Sequence, residues 1–291
     1  MAFDVVVVGS ANLDLVAQLD HLPSPGETLR ATSYAEYAGG KGLNQAVACA
    51  RMGAHTAFVG CLGSDDAGAF LRTVLESEGI DTTHVKTVDA PTGRAFINVD
   101  ARGENTIIVI SGANAMVGIE GSSFKIPSGK VVLAQLEVPQ AVIVTAFADA
   151  RLNGSQTVLN PAPAAKLSAE LLRSIDLIVP NEIEVLAIGG IDALLSAGVT
   201  TVVITQGEHG ADIVTASGTQ HVTAFHVKPI DTVGAGDAFI GAMCAELANG
   251  SSLLDACQSA AVAGALATTV RGAVPSLPMR AAVLAAQGSC Q

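Results

Sequence analysis

The sequence contains no Trp, and aromatic residues make up only 3% of its 291 positions. A hydrophobic core must therefore be built mainly from Val, Ala, Leu and Ile. Basic residues are also few, since 15 Lys and Arg stand against 27 Asp and Glu, for a formal net charge of -12. Nucleic-acid binding needs a basic surface, so this charge balance argues against a nucleic-acid partner. It does not argue against a small anionic ligand, which one Lys and a few backbone amides can hold.

Long apolar runs and secretion signals are missing as well. No apolar run approaches the roughly 18 residues of a membrane span. The N-terminal stretch MAFDVVVVGSANLD has an acid and no basic region before its apolar run. No two cysteines form a CxxC pair, and four are expected to be buried thiols because they lie in apolar runs: Cys49, Cys61, Cys244 and Cys257. A cytoplasmic protein without a membrane partner is the expectation.

Apolar runs of two kinds alternate along most of the chain. DVVVVG at residues 4–9 is a β-branched run that is typical of a strand covered on both faces. KGLNQAVACARMG has helical spacing, and TAFVGCLG predicts the next buried strand. The alternation recurs to residue 207, so we predict an α/β fold with three layers, α/β/α, around a mostly parallel central sheet.

Two segments interrupt that alternation. Residues 13–30 and 93–110 alternate apolar and polar side chains around turns at 23–26 and 102–104. Such segments predict antiparallel strands with one exposed face. We expect them to form a small β-sheet lid on a core of residues 1–12, 31–92 and 111–291. The lid could cover a ligand at the strand ends or pair with another subunit.

The stretch DTVGAGDAF, residues 231–239, places an acid between a Gly-rich turn and an apolar helix. Gly234 and Gly236 permit positive φ, so that backbone amides can converge at a helix N-terminus, where phosphate binds. Asp237 could then be a catalytic base that takes a proton late in phosphoryl transfer. The alternative is a structural helix cap.

A second Gly-rich turn, YAGGKGLNQA at residues 37–46, also leads into a helix. It is not a Walker A loop, because Gly42 follows the Gly-Lys pair where Ser or Thr is needed. The remaining functional interpretation is a turn whose backbone lies close to a ligand, with Lys41 and Asn44 as hydrogen-bond donors. The alternative is a tight turn with a solvated Lys.

Further polar side chains follow the predicted strands, where ligands collect in open α/β sheets. Asn12 and Asp14 are two apart on an extended segment and could together bind vicinal hydroxyls, although Asn-x-Asp also forms ordinary turns. Glu137 ends another strand. Asn181 and Glu184 follow a third, and such carboxylates could hold Mg²⁺ through water. TQGEHG, with Thr205, Gly207 and Gly210, follows a fourth.

Taken together, these motifs resemble the ribokinase-like carbohydrate kinase family over essentially the whole chain. GGKGLNQA is similar to the family's first signature, and DTVGAGDAF to its more specific second signature. QLEVP, LNPAPA, VPNEIE and TQGEHGA lie between them in the family's order, and RGAVPSLP resembles the ending.

The resemblance implies ATP-dependent phosphorylation of the 5-hydroxyl of ribose, with Asp237 as the base. The anion hole would consist of the amides of Gly234, Ala235 and Gly236. The sugar would contact Asn12, Asp14, Gly40, Lys41, Asn44, Glu137 and Asp237. The ATP and Mg²⁺ site would include Asn181, Glu184, Thr205, Gly207, Gly210 and Gly236.

The resemblance also implies an activating K⁺ and a homodimer that forms through the lid. The cation would be held by Asp231, Val233, Ala267, Val270, Gly272 and Ser276, partly through backbone carbonyls. Two positions depart from the family pattern. Ala261 stands where a polar residue near adenine is usual, and Arg94 could contact a substrate phosphate or be a surface residue. The interval from Glu184 to Thr201 is also short.

Several functions stay open at this point. Within the family, deoxyribose, fructose and nucleosides are alternative substrates. The shortage of aromatic residues argues against a cradle for a nucleoside base. A sugar-binding regulator without catalysis is the alternative from another class, and it predicts decay of the second signature, which here is intact.

Overall fold

The computed structural model describes residues 2–118 and 124–288, and within them nine strands form the main sheet. These strands are β1 (Phe3–Val8), β4 (Thr56–Gly63), β5 (Val85–Val88), β8 (Gly129–Gln135), β9 (Gln156–Asn160), β10 (Leu177–Ile178), β11 (Thr201–Thr205), β12 (Ala211–Thr215) and β13 (Gly218–Val222). Their spatial order is β5-β4-β1-β8-β9-β10-β11-β12-β13. All neighbouring pairs from β5 to β11 are parallel, and β12 and β13 continue the sheet as antiparallel strands.

Helices cover both faces of this sheet. They are α1 (Lys41–Arg51), α2 (Asp66–Ser77), α3 (Gln140–Leu152), α4 (Ala169–Arg173), α5 (Glu182–Ala187), α6 (Ile191–Ser196), α7 (Ala235–Ala248), α8 (Leu253–Ala267), α9 (Ala273–Ser276) and α10 (Arg280–Gly288). Val5 and Val7 of β1 belong to the core on the side of α1, α2, α7, α8 and α10. Val6 and Val8 belong to the core on the side of α3 to α6. Because successive side chains of a strand point to opposite faces, the run VVVV fills both cores. The three-layer α/β prediction is confirmed.

The burial of four thiols also agrees with the sequence. Cys49, Cys61, Cys244 and Cys257 are all buried. Cys290 lies outside the described residues. Among the described helices, none is both long and apolar enough to cross a membrane.

A separate four-stranded sheet lies beside the main one, in the order β3-β2-β6-β7. Its strands are β2 (Asn12–Gln18), β3 (Ser33–Gly39), β6 (Gly93–Val99) and β7 (Asn105–Ile110). The partner of β2 along the chain is β3, beyond the predicted lid segment 13–30, and residues 19–32 contain no strand. The predicted turn at 23–26 therefore lies in the long connection between β2 and β3, and it does not join two strands within residues 13–30.

The sequence pattern predicts that the small sheet is antiparallel throughout, and this prediction is wrong for one pair of strands. β2 pairs with β3, and β6 with β7, in antiparallel fashion, but β2 and β6 run parallel. Alternation of polar and apolar residues has the same period in both kinds of pair, so it could not reveal the direction. The predicted hairpin of β6 and β7 is confirmed.

The chain order places the crevice of the main sheet at β1. β1 lies between β4 and β8, and the chain passes to β4 on one side before it returns to β8 on the other. Ligands of open parallel sheets bind at the carboxyl ends of strands around such a switch point. Residues 9–12 and 136–138 follow the ends of β1 and β8, and the start of α1, which follows β3, is hydrogen-bonded to Ser10 beside them.

Candidate active site

The N-terminus of α7 is left open in the structure. Gly234 is its N-cap residue, with φ 82° and no side-chain hydrogen bond to the first turn. A Cβ at this position would lie 3.1 Å from the Ala273 Cα, and the left-handed conformation also disfavours larger residues. The Ala235 N–H donates to the Thr232 carbonyl at 3.2 Å, whereas the Gly236 N–H has no partner among the described residues. The helix dipole and this unpaired donor favour an anion here.

Asp237 is the third residue of α7, so it is not the N-cap that one interpretation had assigned to it. Its carboxylate is half-buried and faces α1. Oδ2 accepts a hydrogen bond from Asn44 Nδ2 at 2.9 Å, and Oδ1 accepts one from Gln45 Nε2 at 2.8 Å. Each oxygen keeps a lone pair beyond these bonds, so the group can still accept a proton.

The N-terminus of α1, in contrast, is closed by Glu137. Glu137 Oε2 accepts a hydrogen bond from the Lys41 backbone N–H at 3.0 Å and a second, short one from Ser10 Oγ. The Leu43 N–H donates to the Ser10 carbonyl at 2.8 Å. A carboxylate from the end of β8 thus caps the first signature, and it holds α1 against the end of β1.

Asn12 is buried, and the orientation of its amide is fixed. Asn114 Nδ2 donates to Asn12 Oδ1 at 2.7 Å, while the Ala11 N–H donates to Asn114 Oδ1 at 3.0 Å. Because its oxygen is taken, Asn12 has its NH₂ group left to offer as donor to a ligand.

Asp14 lies against the backbone of Gly39, where any Cβ would overlap its carboxylate. Burial, and after it the negative charges of Glu137 and Asp237, together raise the pKa of Asp14 to about 7. The three carboxylates are therefore close enough to repel one another. Asn44 Oδ1 is buried beside them with no partner among residues 2–118 and 124–288. An acidic pocket with a spare acceptor and the donor of Asn12 suits a ligand that carries several hydroxyls.

Two cavities adjoin this acidic pocket. One, of about 340 Å³, is lined by Asn12, Val109, Ser111, Asn114, Ala115, Leu136, Glu137, Val138, Pro139 and Pro163. The other, of about 460 Å³, is lined in part by Ala235 and Gly236 at the α7 N-terminus. Its lining includes Thr205, Gly207, Gly210, Gly236 and Ala261, all named from the sequence. Val227, Pro229 and Phe239 make this second cavity largely apolar, as a flat heterocycle requires.

Asn181 and Glu184 form a capping box at the start of α5. Asn181 Oδ1 accepts from the Glu184 N–H at 2.7 Å, and Glu184 Oε2 accepts from the Asn181 N–H at 2.9 Å. The pair is a helix cap in its own right. Asn181 forms an isolated parallel β-bridge with Thr205, which lines the apolar cavity. Neither Asn181 nor Glu184 lines that cavity itself.

Most of the residues proposed for the cation lie next to the α7 N-terminus. Asp231 accepts from the Val233 N–H at 3.0 Å and from the Gly272 N–H at 2.9 Å, which ties the two loops together. Ser276 Oγ lies 3.2 Å from the position of a Cβ on Gly234. The Ala267 carbonyl accepts from the Val270 N–H at 3.3 Å. The atoms that could bind the cation are all oxygens, the kind of ligand that a hard cation such as K⁺ prefers. Within the described residues, no group of three or more His, Cys, Asp or Glu side chains is arranged so that it could hold a metal ion.

Arg94 does not face the acidic pocket. It pairs with Leu13, so it shares a face of the small sheet with Leu13, and Asp14 points to the opposite face. Its nearest charged partner is Asp65 at the start of α2, with 3.9 Å between Nη2 and Oδ2. The position therefore favours the interpretation of a surface Arg.

The sequence motifs missed four polar residues of the site. Gln45, Gln135 and Asn160 form a buried hydrogen-bond network with Asp237, and Asn114 orients Asn12. Gln45, Gln135 and Asn160 stand inside motifs quoted above, and Gln45 directly follows Asn44.

Comparison with known proteins gives the family of this fold and site. The family model described as pfkB family carbohydrate kinase matches residues 2–280. The chain belongs to this family of carbohydrate kinases. It is therefore a phosphotransferase that acts on an alcohol group.

Individual relatives of this carbohydrate kinase agree with that assignment. The chain is 40% identical to a ribokinase of Staphylococcus aureus strain COL over 96% of this chain and 98% of the relative. The ribokinase structure of Thermotoga maritima is similar with a TM-score of 0.91 and 34% identity, covering 98% of this chain and 99% of that one. The Arabidopsis thaliana ribokinase complexed with ribose and ATP has a TM-score of 0.87 and 31% identity, with coverage of 98% and 99%.

Proposed function

We propose that this carbohydrate kinase transfers the γ-phosphoryl group of ATP to the 5-hydroxyl of D-ribose. The observation that carries the proposal is the position of Asp237. Its carboxylate lies at the uncapped end of α7, between a polar pocket for hydroxyls and a largely apolar cavity. The ribokinases that the chain resembles supply the choice of ribose and ATP.

In the proposed reaction Asp237 is the base. The ribose O5 attacks the γ-phosphorus, the bond between that phosphorus and the β,γ-bridging oxygen breaks, and ADP leaves with its electron pair. The O5 proton passes to a free lone pair of the Asp237 carboxylate, and ribose 5-phosphate forms. Because the transition state is loose, the proton leaves late, so a weak base in the right place suffices.

Charge on the transferring group would be stabilised at the α7 N-terminus. The unpaired Gly236 N–H and the positive end of the helix dipole are directed at that point. The Ala235 N–H already donates to the Thr232 carbonyl at 3.2 Å, so it would have to exchange that bond to contribute. Gly234 permits the turn that leaves this end open.

The sugar would lie in the acidic pocket. Asp14 and Glu137 would accept hydrogen bonds from its hydroxyls, Asn12 would donate, and the backbone of Gly40 would line its other side. The unpaired Asn44 Oδ1 would accept one more hydroxyl, which would remove the cost of leaving it buried without a partner. Lys41 is half-buried at the first position of α1 and would face the anionic phosphate.

The nucleotide would occupy the cavity lined by Thr205, Gly207, Gly210 and Ala261. Mg²⁺ would be held through water near Glu184 and Asn181, and it would neutralise phosphate charge. K⁺ would be held by the oxygen donors of the loops around Asp231 and Ser276. Bound there, it would add positive charge behind the anion site.

The small sheet, residues 12–18, 33–39, 93–99 and 105–110, would act as the lid and as a dimer contact. Ile107, Ile108, Val109 and Ile110 all have 47–63% of their surface exposed, and Tyr34 has 59%. An exposed apolar surface of this kind on a short edge strand favours burial against a second copy.

A coupled assay of ADP release across a sugar panel tests the substrate. Ribose should give a kcat/KM at least about ten times that of deoxyribose, fructose or adenosine, because a pocket that hydrogen-bonds the ribose hydroxyls discriminates against a sugar that lacks one, as deoxyribose does, or that carries a larger substituent, as fructose and adenosine do. Preference for any of the other three would overturn the assignment of ribose. The same assay with K⁺ in place of Na⁺ should show higher activity, and equal activity would contradict the cation site.

A further inference from the structure

Three buried side-chain amides connect the middle of the main sheet to Asp237. They belong to Gln135 at the end of β8, Gln45 in α1 and Asn160 at the end of β9. Gln45 and Gln135 are 0% exposed, and Asn160 is 5% exposed. Buried amides of this kind are costly unless they are hydrogen-bonded, so their arrangement is expected to be specific.

The bonds run in one sequence through Gln45. Gln135 Nε2 donates to Gln45 Oε1 at 2.6 Å. Gln45 Nε2 donates to Asn160 Oδ1 at 3.0 Å and to Asp237 Oδ1 at 2.8 Å. Asn160 Nδ2 donates to the Val179 carbonyl at 3.0 Å. Both N–H groups of Gln45 are therefore in use, and its oxygen is in use as well.

The direction of each bond follows from the two ends of this network. A backbone carbonyl such as that of Val179 can only accept, so Asn160 must present its NH₂ group there and its oxygen to Gln45. An ionised carboxylate can also only accept, so Gln45 must present its NH₂ group to Asp237. Gln135 then donates to the Gln45 oxygen, and its own Oε1 has no partner among the described residues. No amide can be flipped without placing two acceptors, or two donors, face to face.

We propose that Gln45 is a positioning residue for Asp237, and that Gln135 and Asn160 hold its amide in the orientation that this requires. Asn44 fixes one carboxylate oxygen at 2.9 Å and Gln45 fixes the other at 2.8 Å, from neighbouring positions of one helix. The two bonds set both the rotation and the tilt of the carboxylate. Its remaining lone pairs are thereby kept towards the place where a hydroxyl would lose its proton.

The inference rests on the proposed role of Asp237 as base, and steady-state kinetics of the Gln45→Met variant test it. Met fills a similar volume and removes both donors. The kcat should fall about 10- to 100-fold, because a displacement of about 1 Å at a reacting group has effects of that size. The KM values for ribose and ATP should stay within about threefold, because Gln45 is not placed against either substrate.

The Gln135→Met variant tests the same network without a change at Gln45 or Asp237. It removes the donor that fixes the Gln45 oxygen, so kcat should fall by about 3- to 10-fold. Combined with Gln45→Met, it should add little further loss, because both substitutions release the same contact. This variant also decides the matter if Gln45→Met does not fold.

Gln140→Met is the matched control. Gln140 is also hydrogen-bonded at both ends of its amide, to the Lys166 carbonyl and the Ser168 N–H, but it lies at the start of α3 away from Asp237. It should keep the parent kcat. Thermal unfolding of all three variants separates a loss of folded protein from a loss of turnover.

Two different failures can be told apart by including Asp237→Asn. If Asp237→Asn abolishes turnover while Gln45→Met and Gln135→Met keep kcat within about twofold of the parent, the positioning role is wrong and the base stands. A parallel rise of both KM values with unchanged kcat would also overturn the positioning role. If Asp237→Asn itself keeps turnover, the proposed function is wrong, whatever the glutamine variants do.

Discussion

The two Gly-rich helix starts of this carbohydrate kinase look alike in sequence and differ in structure. Both N-caps are glycines without a side-chain hydrogen bond. At α1 the first amide is capped by Glu137, and the Leu43 amide of the same turn donates to the Ser10 carbonyl. At α7 the Gly236 N–H is unpaired among the described residues. The first start is closed by the protein's own carboxylate, whereas the second is open, as the proposed anion site requires.

The difference separates two tasks within one crevice. The closed start makes α1 a fixed support, from which Asn44 and Gln45 reach Asp237. The open start of α7 carries Asp237 itself, beside the unpaired amide. A helix N-terminus is therefore a site for anions only where no internal carboxylate already occupies it.

The largest effect is expected from the substitution Asp237→Asn at the open start. Turnover should fall by about 10²- to 10⁴-fold, the range that a positioned base contributes. Ribose and ATP affinities should change by less than about fivefold, because the amide keeps the shape of the site. Single-turnover kinetics and calorimetric binding measure the two quantities.

Asp255→Asn is the control for that substitution. Asp255 is likewise the third residue of its helix, α8, but there Ser252 caps the helix. Its turnover should equal that of the parent. An Asp237→Asn variant as active as this control would remove the distinction between the open and the closed starts.

At the closed start, Glu137→Gln should act mainly on sugar binding. The substitution removes the negative charge of the carboxylate that caps α1 and that would accept hydrogen bonds from the ribose hydroxyls. The KM for ribose should rise about 10-fold, as expected for the loss of a hydrogen bond to a charged group, while kcat falls less than about threefold. A large loss of kcat with an unchanged KM would mean that Glu137 acts in the chemical step.

A smaller effect concerns stability and pH at Asp14. Its pKa is about 7 in the folded protein against an ordinary value of 3.8, so between these two pH values the folded state holds a proton that the unfolded state releases. Stability should therefore fall as pH rises through this window and level off above it. Asp14→Asn should remove that fall, so that it exceeds the parent in stability by about 1–3 kcal/mol at pH 8 and matches it near pH 4. Urea unfolding at the two pH values measures the difference, and an equal gain at both would contradict it.

The smallest effect is expected at a third helix start, that of α5. Asn181→Ala removes the N-cap and should cost about 1 kcal/mol, whereas Asn181→Ser keeps an acceptor and should cost a few tenths. If the pair serves only as a cap, both variants should keep the KM for MgATP of the parent. If it also organises Mg²⁺, both variants should raise that KM, which kinetics at varied Mg²⁺ will show.

The fold and the place of the site could be predicted because their signals are local. The run VVVV requires burial on two faces, and glycines before an acid and an apolar helix indicate a helix start that could bind an anion. Polar residues after the strands then had to meet at one edge of the sheet. Asn12, Asp14, Glu137 and Asp237 are indeed brought together.

Partners from distant parts of the chain could not be predicted in the same way. Glu137 reaches across 96 positions to cap α1, and Gln135 reaches across 90 to orient Gln45. A glutamine on a helix carries no local sign that it faces the core. The parallel pairing of β2 with β6 was hidden for the same reason, since side-chain alternation does not report direction.

The central claim is that phosphoryl transfer occurs at the open start of α7. Its most direct test is a crystal structure with ribose, ADP, Mg²⁺ and a planar phosphoryl mimic such as aluminium fluoride. We predict that the mimic contacts the Gly236 N–H, with the ribose O5 at about 2.6–3.2 Å from the Asp237 carboxylate. A mimic bound instead at residues 40–42, with Asp237 remote from the sugar, would contradict it.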